Sequence, residues 1–578
     1  MKIEKYKQLA EYTLGVKKPE LVLKRANIIM VQSKEIIKAD IAIHDGYIVG
    51  IGDYMGIKEV DCDGKYISPG FIDSHLHFES TMANPDELVY YASLNGTTTF
   101  IADPHEAANV FGIDGVNYII ESTENSSGDV YIMVPSCVPA KDGEDNGVIM
   151  EIDEMMTLLN NKRVLGLGEI MDCEAVINRK KSMMAKLKLF ERNPKDGHAL
   201  GLKDKKLSAY IMAGVLTDHE SSTYEQAISE VRNGMYVHIR EGSAARNLAN
   251  IVGGIIRNNA DTSRFTFCTD DKHIEDIKNE GHISHNIRKA IKLGLDPIQA
   301  YSMASYNAAQ CYKLDEIGMI APGKIGNLVI LNDLKNVEID SVIYKGKFIE
   351  KRHDDRKIVV DSFSENNSNS ELGGAFSKKL SKFNKLTDTI HIDWFEKSML
   401  KLKSKEYAIK LVNEEILTKK VRVSDMKGSF YNKVAVIERH HNTGKYHTSN
   451  VYGYGIKKGA IASSVSHDSH NIVVIGDNDK DMMIAIENIK EIKGGYVLVE
   501  DGKVFEYLPL PIMGLISDLN SSEINNRLYK MIDKAHKMGV CIGIEPFITL
   551  SFIALPVIPE IRITTNGLYD VLNDEYLY

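Results

Sequence analysis

From about residue 71 the chain alternates short apolar runs with longer stretches of helical character, and this repetition constrains its fold more than any other feature. "GTTTFIAD" precedes "GVNYIIESTE", "VYIMVPSC" precedes "EIDEMMTLLNN", and "VLGLGEIMD" precedes "INRKKSMMAKLKLFE". Further strands are expected at "LSAYIMAG", "GMYVHIREG" and "RFTFCTDD". Repeated strand–helix units with buried strands describe an α/β fold, and about eight of them favour closure into a TIM-type (β/α)8 barrel, placed at residues 71–319.

The flanks read differently. "ELVLKRANIIM", "IIKADIAIHDGYIVGIG" and "KYISPGFID" are strands separated by turns such as "HDG" and "CDGK", and "GKIGNLVILNDLKNVEIDSVIYKGKFI" returns to the same pattern. Residues 1–70 and 320–350 are therefore expected to form one small composite β domain. The polar segment "DSFSENNSNSELGG", 361–374, reads as a linker, and 375–578 as an additional C-terminal α/β domain. A chain of 578 residues exceeds what one core usually serves, which agrees with several domains.

Composition removes several classes of function. Asp and Glu number 80 against 70 Lys and Arg, a formal charge of -10, so no basic footprint for nucleic acid exists. The six cysteines include no CxxC pair, which argues against a thiolate zinc site or a disulfide scaffold and suits a reducing, cytoplasmic setting. The first 20 residues lack the apolar core of a signal peptide, and no apolar run reaches membrane-spanning length. A soluble protein without a membrane partner is expected.

Barrels build their sites at the C-terminal ends of their strands, and polar residues recur there. In "GFIDSHLHFES", His75 and His77 stand at i and i+2 and share one face of a strand's end. His105 and Glu106 follow "TTTFIADP", Glu169 sits in "VLGLGEIM", His219 in "YIMAGVLTDHE", His238 in "GMYVHIREG", and Asp270 follows "RFTFCT". A lone His is more often satisfied by hydrogen bonds than by a metal, and Asp270 with Asp271 also suits a helix cap. Glu169, flanked by apolar residues, is costly to bury without a partner. Taken together, four histidines and two carboxylates suffice for two adjacent divalent ions bridged by Glu169. "SSVSHDSHN" adds His467, Asp468 and His470, either as a loop covering the barrel mouth or as a locally bonded turn.

"PGFIDSHLHFES" resembles the first-strand signature of the amidohydrolase superfamily. "TTTFIADPHEAANV", "GLGEIM", "HIREGSAARNL", "FCTDD", "GHISHNIRKAI", "SSVSHDSHNIVVIG" and "LPLPIMGLIS" match more closely the adenine deaminase family of bacteria and archaea, and the likeness spans nearly the whole chain. That resemblance implies hydrolysis of adenine to hypoxanthine and ammonia in purine salvage, by a hydroxide held at a binuclear centre of manganese or iron. It implies His75, His77 and Asp270 at one ion, His219 and His238 at the other, and Glu169 as the bridge where many relatives use a carbamylated lysine. Asp270 would move the nucleophile's proton. Glu241, three residues after His238, is preferred over Glu220 as the acid at N1, against the alternative of a glutamate salt-bridged beside Arg240. His105, Glu106, His467 and Asp468 are candidates for substrate binding, and a homodimer is implied. The alternatives are a deaminase or cyclic amidohydrolase for another nucleobase or ring, and a non-catalytic purine-binding protein. The last predicts lost ligands, and none is lost.

Overall fold

Strands covered on both faces are buried at successive positions, as Phe71–Leu76 and Thr97–Ala102 are throughout. In the computed structural model, which describes residues 1–352, 384–413 and 417–577 apart from Asp142 and Ala244, they are the first two of eight barrel strands. The others are Asp129–Val134, Val164–Ile170, Lys195–Gly197, Thr217–Asp218, Tyr236–Arg240 and Phe265–Cys268. Neighbours pair in parallel through the fifth strand and again from the sixth to the eighth. Between the fifth and sixth, the Leu216 N–H donates to the Lys195 carbonyl at 3.4 Å and the Gly197 N–H to Thr217 Oγ1 at 3.1 Å. A parallel bridge between Leu76 and Asp270 joins the first strand to the end of the eighth and closes the ring.

Two expectations about strands are corrected. "LSAYIMAG" is not a strand: Asp204–Met212 is a helix, with Leu207 and Tyr210 buried and Ser208 and Ala209 exposed between them. An i, i+3 spacing of buried residues is the helical period, whereas a strand would bury alternate residues. The strand expected at "KYISPGFID" is also two, Tyr66–Pro69 and Phe71–Leu76, divided at Gly70. A Cβ on Gly70 would lie 2.2 Å from Thr98 Oγ1, so only glycine permits the chain to cross there from one sheet to the next.

Tyr66–Pro69 belongs to the outer sheet. It pairs antiparallel with Leu328–Asp333 and parallel with Leu21–Met30, which brings the segments on either side of the barrel into one eight-stranded sheet. The expected linker at 361–374 lies outside the described residues.

Beyond it, a second eight-stranded sheet runs from Tyr407–Leu411 to Lys503–Pro509, with the helices Asp479–Glu491 and Ser521–Lys537 packed on it. A small antiparallel sheet, Ile561–Thr564, Gly567–Asp570 and Glu575–Leu577, follows. This region sits on the barrel mouth. The Ser517 N–H donates to the Met82 carbonyl at 2.8 Å, the Ser521 N–H to Glu87 at 3.0 Å, and Asn471 Nδ2 to the Asp145 carbonyl at 2.6 Å. One apolar cluster continues across the junction, from Met82 and Val110 to Leu515 and Ile516. Arg439, fully buried, shapes the covering loops by donating to the carbonyls of Thr389 and Met513, each at 2.9 Å.

Candidate metal centre

The strand ends converge as the barrel requires. His75 closes the first strand and His77 lies just past it, with their Nε2 atoms 3.1 Å apart. His77 Nδ1 donates to the Asp103 carbonyl at 2.8 Å, which fixes the tautomer and leaves the Nε2 lone pair facing inward. That lone pair is 3.1 Å from Asp270 Oδ1 and 3.6 Å from Glu169 Oε1. Glu169 ends the fourth strand. Its N–H donates to Asp103 Oδ2 at 2.7 Å, a contact that depends on Gly168, where a Cβ would stand 2.3 Å from that oxygen.

The other oxygen of Glu169 is shared. His198 Nδ1 lies 3.0 Å from Oε2 and His219 Nε2 lies 3.2 Å from it. Asp270, at φ 57°, takes the left-handed conformation that Asp tolerates. Its position is set from both sides: its own N–H donates to the His75 carbonyl at 3.0 Å, and Asp73 accepts the Thr269 N–H at 3.1 Å.

These donors fit two divalent ions. The ligand atoms of His75, His77 and Glu169 lie within 4.8 Å of one another, as do those of Glu169, His198 and His219, and those of His75, His219 and Asp270. The first two groups share Glu169, and imidazole with carboxylate is the donor set of borderline divalent metals. The electrostatics agree. Burial alone would raise the Asp270 carboxyl, yet Arg240 and the surrounding imidazoles hold it well below the usual range. Burial pulls the His219 imidazole down, but Glu169, Asp270 and Glu220 together push it up to about 9. The cluster stabilises added positive charge.

Two expected members lie elsewhere. His238 is inside the seventh strand, not at its end; Nδ1 is hydrogen-bonded to Thr266 Oγ1 and Nε2 to the Tyr312 hydroxyl at 3.0 Å, so both ring nitrogens are engaged away from Glu169. Glu241 faces Lys289 at 2.5 Å and Arg246 at 3.8 Å, outside the pocket over the cluster. It is a salt-bridged glutamate, with Lys289 and Arg246 as partners. Glu220 is the glutamate that lines the pocket, gripped by Arg240, whose guanidinium also donates to Asp270 Oδ2 at 2.7 Å. Asp270 and Asp271 do not cap the following helix, Ile274–Glu280, which begins after His273.

His198 is the residue that the sequence reading missed. It follows Lys195–Gly197, a strand too short and too polar to register as an apolar run. The remaining signal was its place, one βα unit after Glu169 and one before His219.

The pocket over the cluster is lined from both the barrel and the C-terminal region. The barrel supplies His105, with Nδ1 3.2 Å from Glu169 Oε1, and Glu106. The C-terminal region supplies His467, with Nδ1 2.7 Å from Glu106 Oε1, and Asp468, with Oδ1 3.9 Å from His105 Nε2. Burial lowers His467, but Glu106, Asp271 and Asp468 outweigh it and push the imidazole up to about 9. Phe552, Leu555 and Ile558 from the C-terminal side, with Met171 and Leu200 from the barrel, give the pocket apolar walls suited to a planar ring.

Comparison with known proteins places these features in a lineage. Residues 66–349 match the amidohydrolase family, and residues 410–575 match the adenine deaminase C-terminal domain. An adenine deaminase of Desulfitobacterium hafniense is 48% identical over 99% of this chain and 98% of its own length. One of Clostridium acetobutylicum is 42% identical over 98% and 99%, and one of Bacillus pumilus 38% identical over 99% of each.

Proposed function

The chain belongs to the adenine deaminase family, and from that premise we propose that it hydrolyses adenine to hypoxanthine and ammonia in the pocket between the barrel and the C-terminal region. The observation that carries this reading is the meeting of His75, His77, Glu169, His198, His219 and Asp270 beneath a slot with apolar walls. Those six residues would hold two divalent ions, with Glu169 between them. When bound, such ions supply the Lewis acidity that makes water a nucleophile at neutral pH. Manganese is our assignment, with ferrous iron as the second choice; the imidazole and carboxylate donors support either.

The chain's own groups manage the protons. Water adds to C6, N1 gains a proton, the C6–N6 bond breaks and the amine departs as ammonia. The proton left on the C6 hydroxyl is lost as the carbonyl forms and restores, through solvent, the one given to N1. Asp270 Oδ1 faces the cluster while Oδ2 is held by Arg240, so the carboxylate takes the proton that water loses and delivers it to the departing amine. Glu220 is committed to Arg240 through both carboxylate oxygens and positions that guanidinium beside Asp270. His467, kept charged by Glu106, is the donor to N1. His105 and Asp468 orient the ring from the same wall, and the covering loop excludes bulk water.

We place the enzyme in the cytoplasm, in purine salvage, acting as a homodimer. The six free cysteines support a reducing compartment, and no helix among the described residues is long and apolar enough to cross a membrane.

The test is turnover by manganese-loaded protein of adenine, guanine, cytosine and dihydrouracil in parallel, following hypoxanthine and ammonia, with His75→Ala as control. Adenine turnover that the control abolishes supports the reading. Turnover of another ring alone keeps the metal chemistry and overturns the substrate. No turnover with two metals bound favours a purine-binding protein.

A further inference from the structure

A second chamber adjoins the substrate pocket and shares Glu106, Asp271, His467 and Phe552 with it as a common wall. Three carboxylates line it, those of Glu79, Glu106 and Asp271, against one cation, the His467 imidazolium that pairs with Glu106. Two of its polar groups are buried without partners. Glu79 is 2% exposed; its Oε1 accepts the Ala107 N–H at 2.9 Å while Oε2 has no hydrogen bond. Ser551 is 3% exposed, on the helix Pro546–Phe552, and its Oγ has none either.

A buried carboxylate oxygen without a donor is costly, and more so beside a second carboxylate. A water molecule would supply a donor but no charge. A small monovalent cation that carries its own N–H donors supplies both, and the carboxylate and hydroxyl oxygens match it. The deaminase reading, on which the inference rests, generates such an ion on the other side of the shared wall: the amine leaves C6 as ammonia and takes its fourth proton from solvent. We propose that this chamber binds the product ammonium ion, with Glu79 and Ser551 as its acceptors, and is the route by which the ion leaves the site.

Thallium(I), an ammonium-sized cation visible by its anomalous scattering, is the probe. Crystals of the full-length, metal-loaded enzyme soaked in a thallium(I) salt are expected to show a peak against Glu79, absent in Glu79→Gln, which keeps an acceptor for the Ala107 N–H. In solution, ammonium chloride is expected to inhibit hypoxanthine formation more than sodium chloride at equal ionic strength and pH. Its inhibition constant should rise about tenfold in Glu79→Gln, and less in Ser551→Ala, as the loss of a charged hydrogen-bond partner predicts. Ser551→Val, which replaces the acceptor hydroxyl with methyl groups, gives the same reading if Glu79→Gln does not fold. The proposal is overturned if wild-type crystals show no thallium there, if the peak survives Glu79→Gln, or if the chamber takes only a divalent ion. Adenine turnover is scored separately. Its absence sinks the deaminase reading and the product route together, whereas turnover without thallium binding sinks the chamber alone.

Discussion

Nδ1 of His198 and Nε2 of His219 both approach Oε2 of Glu169, at 3.0 and 3.2 Å. Two imidazoles on one carboxylate oxygen define the half of the metal centre opposite His75 and His77. His198→Ala should therefore leave about one metal per chain instead of two, because an ion held by three protein ligands loses one of them. His238→Gln should keep both metals, since that ring bonds Thr266 and Tyr312 instead. Elemental analysis of the two purified variants checks this, and equal metal loss in both would place His238 back in the ligand set.

Glu241 is fully buried and bound to Lys289, with Arg246 nearby. Removing its charge leaves Lys289 without its partner, while Arg246 keeps Glu280, so Glu241→Gln should cost about 1–3 kcal/mol of stability in a denaturant titration. Turnover by the folded variant should stay within a few-fold of wild type. Glu220→Gln should also cost stability, because Arg240 and Glu220 are both buried, and it should in addition act on turnover by freeing Arg240 from one of its two anchors beside Asp270. Steady-state kinetics of the folded variant should show kcat reduced about tenfold or more. A larger kinetic loss in Glu241→Gln than in Glu220→Gln would reverse the assignment.

What could be read from the sequence follows physical lines. The barrel was legible because its buried parallel strands read as short runs of β-branched and apolar residues, as in "TTTFIA", between longer helical stretches. His75, His77, Glu169, His219 and Asp270 were legible because each breaks or ends such a run. His198 was not, because Lys195–Gly197 has neither length nor apolarity. His238 is a ligand only in what the family resemblance implies. Its ring is in fact bonded to Thr266 and to Tyr312, the latter 74 residues away, a contact no local pattern contains. The convergence of Glu106 with His467 was open in the sequence as one of two readings of "SSVSHDSHN", since only the docking of the C-terminal region decides it.

His447 gives a pH signature outside the catalytic pocket. Burial, reinforced by Lys403, lowers its pKa from 6.5 to about 4, and Nε2 is 2.7 Å from Ser404 Oγ. The unfolded chain takes up a proton first as pH falls, so this group leaves stability intact above its unfolded pKa. Stability is then lost as pH drops through the interval down to about 4, by at most roughly 3 kcal/mol. His447→Gln should flatten that part of the curve. Thermal midpoints of both proteins across the interval test it; parallel curves would mean that His447 titrates normally in the folded state.

His467 should leave its mark on turnover. As the donor to N1 it must be charged, and its pKa of about 9 follows from Glu106, Asp271 and Asp468 outweighing burial. Below that value the acid is in place; as pH rises through it the proton is lost and kcat should fall. His467→Asn removes the proton but not the metal ligands. Metal content should stay at the wild-type level while kcat drops about a hundredfold, the lower range for loss of a general acid. The alkaline limb should disappear with it. Glu106→Gln, which takes away the closest anion holding the charge, should instead retain the limb and move it to lower pH. A pH–rate profile of the three proteins separates the roles. An unchanged alkaline limb in His467→Asn would assign the N1 proton to another group.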